Sequence, residues 1–180
     1  EQRLEVDVWE PSVAALTPYA EHVTLDGGFT GRPNVVGTRP GTGDGRSLIL
    51  NGHIDTVDFG DLTAWDADPL SGDVIDGRLY GRGSLDMKGG VITNLFALRA
   101  LEAAGLAPNG TVTVESTISE EDGGAGALAA VLRGYVADAA VITEPTNLAI
   151  VVAHGGSLMF RLFVPGLSAH GAARDEGVSA

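Results

Sequence analysis

Four short polar segments constrain this chain more than any other feature, and three of them directly follow an apolar run with the character of a β-strand. The segments occupy residues 51–55, 83–88, 119–122 and 143–145. Each supplies a carboxylate or an imidazole, the oxygen and nitrogen groups that bind zinc-type ions in proteins. Because the chain contains 0 cysteines, thiolate ligands, disulfides and cysteine nucleophiles are excluded. The pattern therefore indicates a metal site built from histidine and acidic side chains.

Length and charge narrow the partners that this chain can have. The 180 residues predict one domain with part of a second, and the formal net charge is −13. This charge argues against nucleic acid and against anionic membrane surfaces as partners. No apolar run approaches the length of a membrane span. We expect a cytoplasmic protein, although the chain begins at Glu1 rather than Met, so a signal segment lost ahead of it stays an alternative.

Strand-like and helix-like runs alternate along the chain, which favours a layered α/β fold. An apolar stripe that starts at Val91 predicts the longest helix, with Gly105 as its stop, and a second helix is predicted at residues 126–132. The loop rich in Gly and Pro between the second and third strands predicts a hairpin connection. The predicted strands lie at residues 4–9, 35–38, 47–50, 78–80, 111–114, 139–142, 148–153 and 158–164, of which 139–142 reads as a buried strand.

His53 and Asp55 lie where the third strand ends. Residues two apart in an extended segment face the same way, so both side chains can reach one site. One can bind a metal while the other orients the imidazole from behind. A hydrogen-bonded polar pair at a strand end is the alternative.

The other acidic segments also have a chemical and a structural interpretation. Asp86 precedes the long helix, where it can bind a metal or serve as an N-cap. Glu120 and Glu121 leave a strand side by side and diverge, so one can bind a metal while the other takes a proton from water. A solvated loop is the alternative for this pair. Glu144 follows the apolar run 139–142, where it must be paired or ligated unless its head reaches water.

The order of these segments resembles the M20 family of metallopeptidases and deacylases. The likeness covers nearly the whole chain and includes residues 65–69 and 76–83. It is closest to the branch of acetylornithine deacetylase and succinyl-diaminopimelate desuccinylase, through residues 123–126 and 143–146. The resemblance implies an α/β/α catalytic domain over residues 1–154. It also implies the start of an inserted α+β lid over residues 155–180, through which the full-length protein would form a homodimer.

The resemblance further implies two divalent metal ions, zinc by default, with cobalt or manganese as alternatives. By position, His53 binds the first ion, Asp86 bridges both, Glu121 binds the second and Glu144 the first. The peptide bond between Asp86 and Met87 is expected to be cis.

Three further residues receive catalytic roles from the resemblance. Glu120 is the general base, and Asp55 supports the imidazole of His53. His170 reaches the partner's active site across the dimer and helps to stabilise the oxyanion.

The implied reaction is removal of an acyl group from a small N-acyl amino acid. A dipeptidase or carboxypeptidase of the same family, acting on a peptide, is one alternative, and a non-catalytic binding module on the same scaffold is another. In the family, the second zinc takes a further histidine from a distant C-terminal segment, which these residues do not contain. We therefore expect this chain to be an N-terminal fragment that is inactive alone.

Overall fold

A five-stranded mixed sheet organises the chain and confirms the α/β class. The computed structural model describes residues 4–153, 155–156 and 162–179. The sheet has the order β1-β2-β6-β3-β7, in which β3 runs parallel to β6 and β7 while β1 and β2 are antiparallel to their neighbours. The strands are β1 (Glu5–Trp9), β2 (Asn34–Arg39), β3 (Leu48–His53), β4 (Val74–Ile75), β5 (Arg78–Leu79), β6 (Val112–Thr117) and β7 (Ala139–Ile142), with β4 and β5 forming a separate hairpin.

Three helices and one irregular turn connect these strands. The helices are α1 (Val13–Leu16), α2 (Gly89–Ala103) and α3 (Ala125–Arg133). Short 3₁₀ turns lie at Thr17–Tyr19, Leu62–Ala64 and Arg174–Glu176. A wide helical turn, Ser84–Lys88, leads directly into α2. No helix in the described part of the chain is long and apolar enough to traverse a lipid bilayer.

The longest predicted helix is confirmed, together with its stop. Gly105 has φ 70°, a left-handed conformation that glycine adopts without steric cost. Its N–H donates to the carbonyl of Glu102 at 3.0 Å, and Leu106 N–H donates to Leu101 at 2.9 Å. This pair of bonds is the Schellman arrangement that ends many helices. On the opposite side of the helix from solvent, Leu98 packs with Val112 and Val114 of the sheet.

The predicted hairpin between β2 and β3 is wrong, because β6 lies between them. The glycine-rich connection instead wraps around the segment that leads into β6. Thr42 N–H donates to Pro108 and Gly43 N–H to Asn109, both at 3.0 Å. The loop is thus held by residues distant in sequence, which local turn chemistry does not reveal.

Two other strand predictions also fail. β7 forms where expected but is exposed rather than buried, with Val141 48% and Ile142 58% accessible, because it pairs with β3 alone among the described strands. Residues 148–153 form no strand. Part of the predicted strand 158–164 lies outside the described residues, and the described residues 162–164 form none.

The chain separates into two units between Leu148 and Ala149, ahead of the boundary predicted at 154/155. In the second unit, Leu167 and Val178 exchange two backbone hydrogen bonds of 2.9 and 3.0 Å. Whether this unit begins a lid domain stays a prediction.

The buried side chain of Glu115 in β6 predicts that the stability of the fold depends on pH. Glu115 is 4% exposed and accepts a 2.8 Å hydrogen bond from Asn51 Nδ2, while its Oε1 has no partner among the described residues. Burial raises the pKa of this carboxyl, and the bond from Asn51 opposes the rise only in part. A folded-state pKa above the unfolded value means that the carboxyl destabilises the fold as pH rises through that range.

We therefore predict that Glu115→Gln raises the melting temperature by more at about pH 7 than at about pH 4, because glutamine keeps the bond to Asn51 and carries no charge. Thermal unfolding followed by circular dichroism at both pH values measures this. Glu102→Gln, at an exposed position on α2, is the matched control and should change neither value. Equal shifts for Glu115→Gln at both pH values would contradict the account.

Candidate active site

The imidazole of His53, the last residue of β3, lies at the centre of the site. It is 2% exposed, and its Nδ1 donates a 2.9 Å hydrogen bond to the backbone carbonyl of Asp55. A carbonyl oxygen only accepts, so Nδ1 carries a proton, and Nε2 points into the site, where it lies within hydrogen-bond distance of Asp86 Oδ1. Three carboxylates face that nitrogen: Asp86 at 3.1 Å, Glu144 at 3.7 Å and Glu120 at 3.8 Å.

These groups shift one another's pKa values. Burial lowers the pKa of His53, but its bond to the Asp55 carbonyl and the nearby carboxylates of Asp55, Glu144 and Glu120 outweigh burial and raise it. Burial raises the pKa of both Glu120 and Glu144; neighbouring acids add to the rise and His53 opposes it. Acceptors and negative charges thus converge on one small volume, which favours a cation there, either a proton or a metal ion.

The donor set fits a divalent metal. One ligand atom from each of His53, Asp86 and Glu144 lies within 4.8 Å of the other two. Imidazole nitrogen with carboxylate oxygen is the ligand chemistry of zinc, and cobalt and manganese accept it too. Glu121 is outside this group, and its carboxylate accepts a 3.3 Å hydrogen bond from the N–H of Val57. The structure therefore brings together three of the four predicted ligands, and the ligand role of Glu121 stays a prediction.

Asp55 is arranged differently from the expectation that its carboxylate orients His53. The carboxylate accepts the N–H groups of Glu120 at 3.3 Å and Glu121 at 3.2 Å, and it lies 3.6 Å from His53 Nδ1. The backbone carbonyl of Asp55 makes the shorter contact with the ring. Asp55 therefore ties the end of β3 to the turn that carries the two glutamates.

Asp86 lies in the irregular turn Ser84–Lys88, where its φ and ψ of −112° and 106° are not helical. The Asp86–Met87 peptide bond is cis, as the family resemblance implied. No side-chain hydrogen bond caps the start of α2, so the N-cap interpretation of Asp86 is wrong. The carboxylate instead faces His53, with 54% of the side chain exposed.

Close packing at Gly52 brings this turn to His53. A Cβ at Gly52 would lie 2.8 Å from Val91 Cγ2 and 3.0 Å from Met87 Cε, closer than side-chain contacts normally allow. Only glycine lets the start of α2 approach β3 this closely.

Sequence reasoning missed one supporting residue, Asn94. It is 2% exposed and donates from Nδ2 to the carbonyl of Asn51 in β3 at 3.2 Å. Its signal was available, because Asn94 interrupts the apolar stripe of α2 and a buried amide there needs a partner.

His170 lies in the second unit of the chain and is exposed. Its Nδ1 accepts a 3.2 Å hydrogen bond from the N–H of Ala172. Its proposed catalytic role stays a prediction.

The fold and the site together define an α/β domain with a candidate metal site of histidine and carboxylates at one edge of its mixed sheet. The chain belongs to peptidase family M20/M25/M40, whose family model matches residues 49–165. Among curated relatives, it is 40% identical over 124 residues to N-formyl-4-amino-5-aminomethyl-2-methylpyrimidine deformylase of Bacillus subtilis (strain 168), covering 68% of this chain and 29% of that protein. It is 37% identical over 125 residues to a probable succinyl-diaminopimelate desuccinylase of Staphylococcus aureus (strain MRSA252), covering 68% and 31%. The chain thus spans about 30% of the length of these relatives.

Solved structures support the same fold. The M20 family metallo-carboxypeptidase from Sulfolobus solfataricus matches with a TM-score of 0.55 and 23% identity over 65% of this chain and 26% of that one. Human carnosine dipeptidase 1 matches with a TM-score of 0.55 and 22% identity over 78% of this chain and 29% of that one.

We predict that Asp86→Asn and Glu144→Gln each lower zinc affinity by more than about 100-fold, because each removes a charged ligand, whereas loss of supporting residues alone costs 10–100-fold. Competition titration with a chelating dye measures the affinity, and Glu102→Gln is the control on an exposed face. Unchanged affinity in both variants would show that the cluster does not hold the metal.

We also predict that Gly52→Ala lowers zinc affinity at least about tenfold while leaving every ligand in place, because the new methyl group pushes Met87 and Val91 away from β3 and carries Asp86 with them. Gly156→Ala, where a Cβ meets nothing within 4 Å, is the matched control. Chelator competition again provides the measurement, and wild-type affinity in Gly52→Ala would contradict the packing argument.

Proposed function

We propose that the protein to which this chain belongs is a metal-dependent amide hydrolase that removes an acyl group from a small N-acyl amino acid. The observation that carries the proposal is the convergence of Asp86, Glu144 and Glu120 on Nε2 of His53. Family membership supports it, since members of this peptidase family are metal-dependent hydrolases that act on amide bonds. The relatives at 37–40% identity carry the names of a deformylase and a desuccinylase, both of which remove acyl groups.

In this proposal, His53, Asp86 and Glu144 would hold one divalent ion, and Glu121 together with Asp86 would hold a second. Such ions, when bound, make water a stronger acid and polarise an amide carbonyl. Zinc is our first choice for the metal. A homodimer, a catalytic contribution from His170 and a cytoplasmic location complete the proposal.

Glu120 moves the proton in this reaction. Burial raises the pKa of the Glu120 carboxyl toward neutral pH, and a general base is most effective when its pKa lies near the operating pH. It takes a proton as water attacks the acyl carbon, and it returns that proton to the leaving amine. The backbone N–H groups of Glu120 and Glu121 both donate to the Asp55 carboxylate. These two bonds fix the backbone from which the glutamate side chains extend.

A peptidase of the same family is the second candidate. The two solved structures that match at a TM-score of 0.55 are named as a carboxypeptidase and a dipeptidase, but at 22–23% identity they support the fold alone. A non-catalytic module on this scaffold is less favoured, because a binding protein has no need of a base beside the metal ligands.

We predict that Glu120→Gln in the complete protein lowers kcat by about 10²–10⁴-fold while zinc content stays at the wild-type level, because the amide cannot accept the proton. Turnover of N-formyl, N-acetyl and N-succinyl amino acids and of dipeptides, with metal analysis of the same samples, tests this. Glu102→Gln is the control. Preferential cleavage of dipeptides would favour the peptidase, and full activity in Glu120→Gln would remove Glu120 as the base.

A further inference from the structure

The turn between β6 and α3 carries both Glu120 and Glu121, and one buried side chain closes its two ends. Asn34 is 0% exposed; its Oδ1 accepts from Ile118 N–H at 3.1 Å, and its Nδ2 donates to the carbonyl of Gly126 at 2.8 Å. Gly126 N–H also donates to the carbonyl of Ile118 at 3.1 Å. A Cβ at Gly126 would collide with that carbonyl, so the loop closes only around glycine. Asn34, the first residue of β2, thus holds the two ends of the turn together through these hydrogen bonds.

Within the turn, the residue just before Glu120 has an unfavourable backbone. Ser119 has φ 60° and is 0% exposed. A non-glycine residue is disfavoured in this left-handed region, and such residues persist where surrounding contacts impose them. This conformation sets the direction in which the chain leaves Ser119, and therefore the direction of the Glu120 side chain.

Arg32 contacts the turn on both sides of the two glutamates. Its Nη2 donates to Ser119 Oγ at 2.9 Å and lies 3.5 Å from Asp122 Oδ2. The guanidinium therefore binds the residue before Glu120 and the residue after Glu121. From the other direction, Asp55 accepts the backbone N–H groups of the two glutamates. The turn is held from both sides, and Arg32 is the cationic member among acidic neighbours.

We propose that Arg32 is a positioning residue for the general base: by binding Ser119 and Asp122, it holds the left-handed turn in which Glu120 faces His53. The inference rests on the proposed function, because it assigns Arg32 a consequence for turnover. Arg32 touches neither the metal ligands' donor atoms nor the substrate in this account. Its loss should lower kcat and leave substrate binding and metal content in place.

The test compares Arg32→Met, Arg32→Lys and Arg32→Met/Ser119→Gly in the complete, zinc-loaded protein. We expect Arg32→Met to lower kcat about 10- to 100-fold, the range that a misplacement of about 1 Å produces, with KM and zinc content near wild type. Arg32→Lys keeps one charged donor group, so its kcat should lie between those of the wild type and Arg32→Met. Adding Ser119→Gly should restore part of kcat to Arg32→Met, because glycine adopts the left-handed backbone without cost. Arg99→Met, which removes an equal charge from an exposed side chain on α2, is the control.

The outcomes separate this inference from the proposed function. Should the wild-type protein turn over none of the N-acyl amino acids or dipeptides, the proposed function fails whatever Arg32 does. Should Glu120→Gln retain activity, Glu120 is not the base and Arg32 has no base to position. Should Glu120→Gln lose its activity while Arg32→Met keeps kcat within about twofold of wild type, Arg32 does not position the base. A loss of zinc in parallel with kcat, or no recovery with Ser119→Gly, would also overturn the inference. If Arg32→Met does not fold, Arg32→Lys and Ser119→Ala replace it in the test, since Ser119→Ala removes the hydroxyl that accepts from Arg32. Both should lower kcat and leave KM near wild type, and an unchanged kcat in both would overturn the inference.

Discussion

Mutual repulsion among acidic side chains is the constraint on which the rest of this structure depends. Asp86, Glu120 and Glu144 all face the Nε2 of one buried imidazole, and burial raises the pKa values of the two glutamates. Like charges at this separation drive a flexible chain apart. The fold therefore has to hold these side chains in place with contacts that do not involve the carboxylates themselves. A cation at the centre is then stabilised by all three carboxylates.

Backbone hydrogen bonds and close packing supply that rigidity. The carbonyl of Asp55 orients His53, and the Asp55 carboxylate fastens the glutamate turn through two N–H groups. The absence of a side chain at Gly52 lets the turn that carries Asp86 approach β3. Each acid thus comes from a different element, and each element is fixed to β3 or to the turn after β6. Fixed groups of this kind are what electrostatic catalysis requires in general, because they need not rearrange during a reaction.

Prediction from sequence succeeded where the signal was local. The stripe from Val91 to Leu98 and the stop at Gly105 describe α2, because helix periodicity and capping involve residues a few positions apart. It failed for the connection between β2 and β3, where partners at residues 108–109 hold the loop. The prediction that β7 is buried also failed, because an apolar run in the sequence does not reveal how many strands will pair beside it. The cis bond after Asp86 came from the family resemblance alone.

By itself, the sequence determined the chemistry that is available: nitrogen and oxygen ligands without thiolates, an acidic chain, and polar groups at the ends of strands. It placed His53 and Glu144 at the ends of strands, where the sites of α/β folds gather, and the family resemblance grouped them with Asp86 as ligands. Only the tertiary structure decided how they are used. Which nitrogen of His53 faces the acids, which part of Asp55 holds the ring, and how Arg32 reaches Ser119 all depend on contacts between distant segments, whose geometry no local pattern encodes.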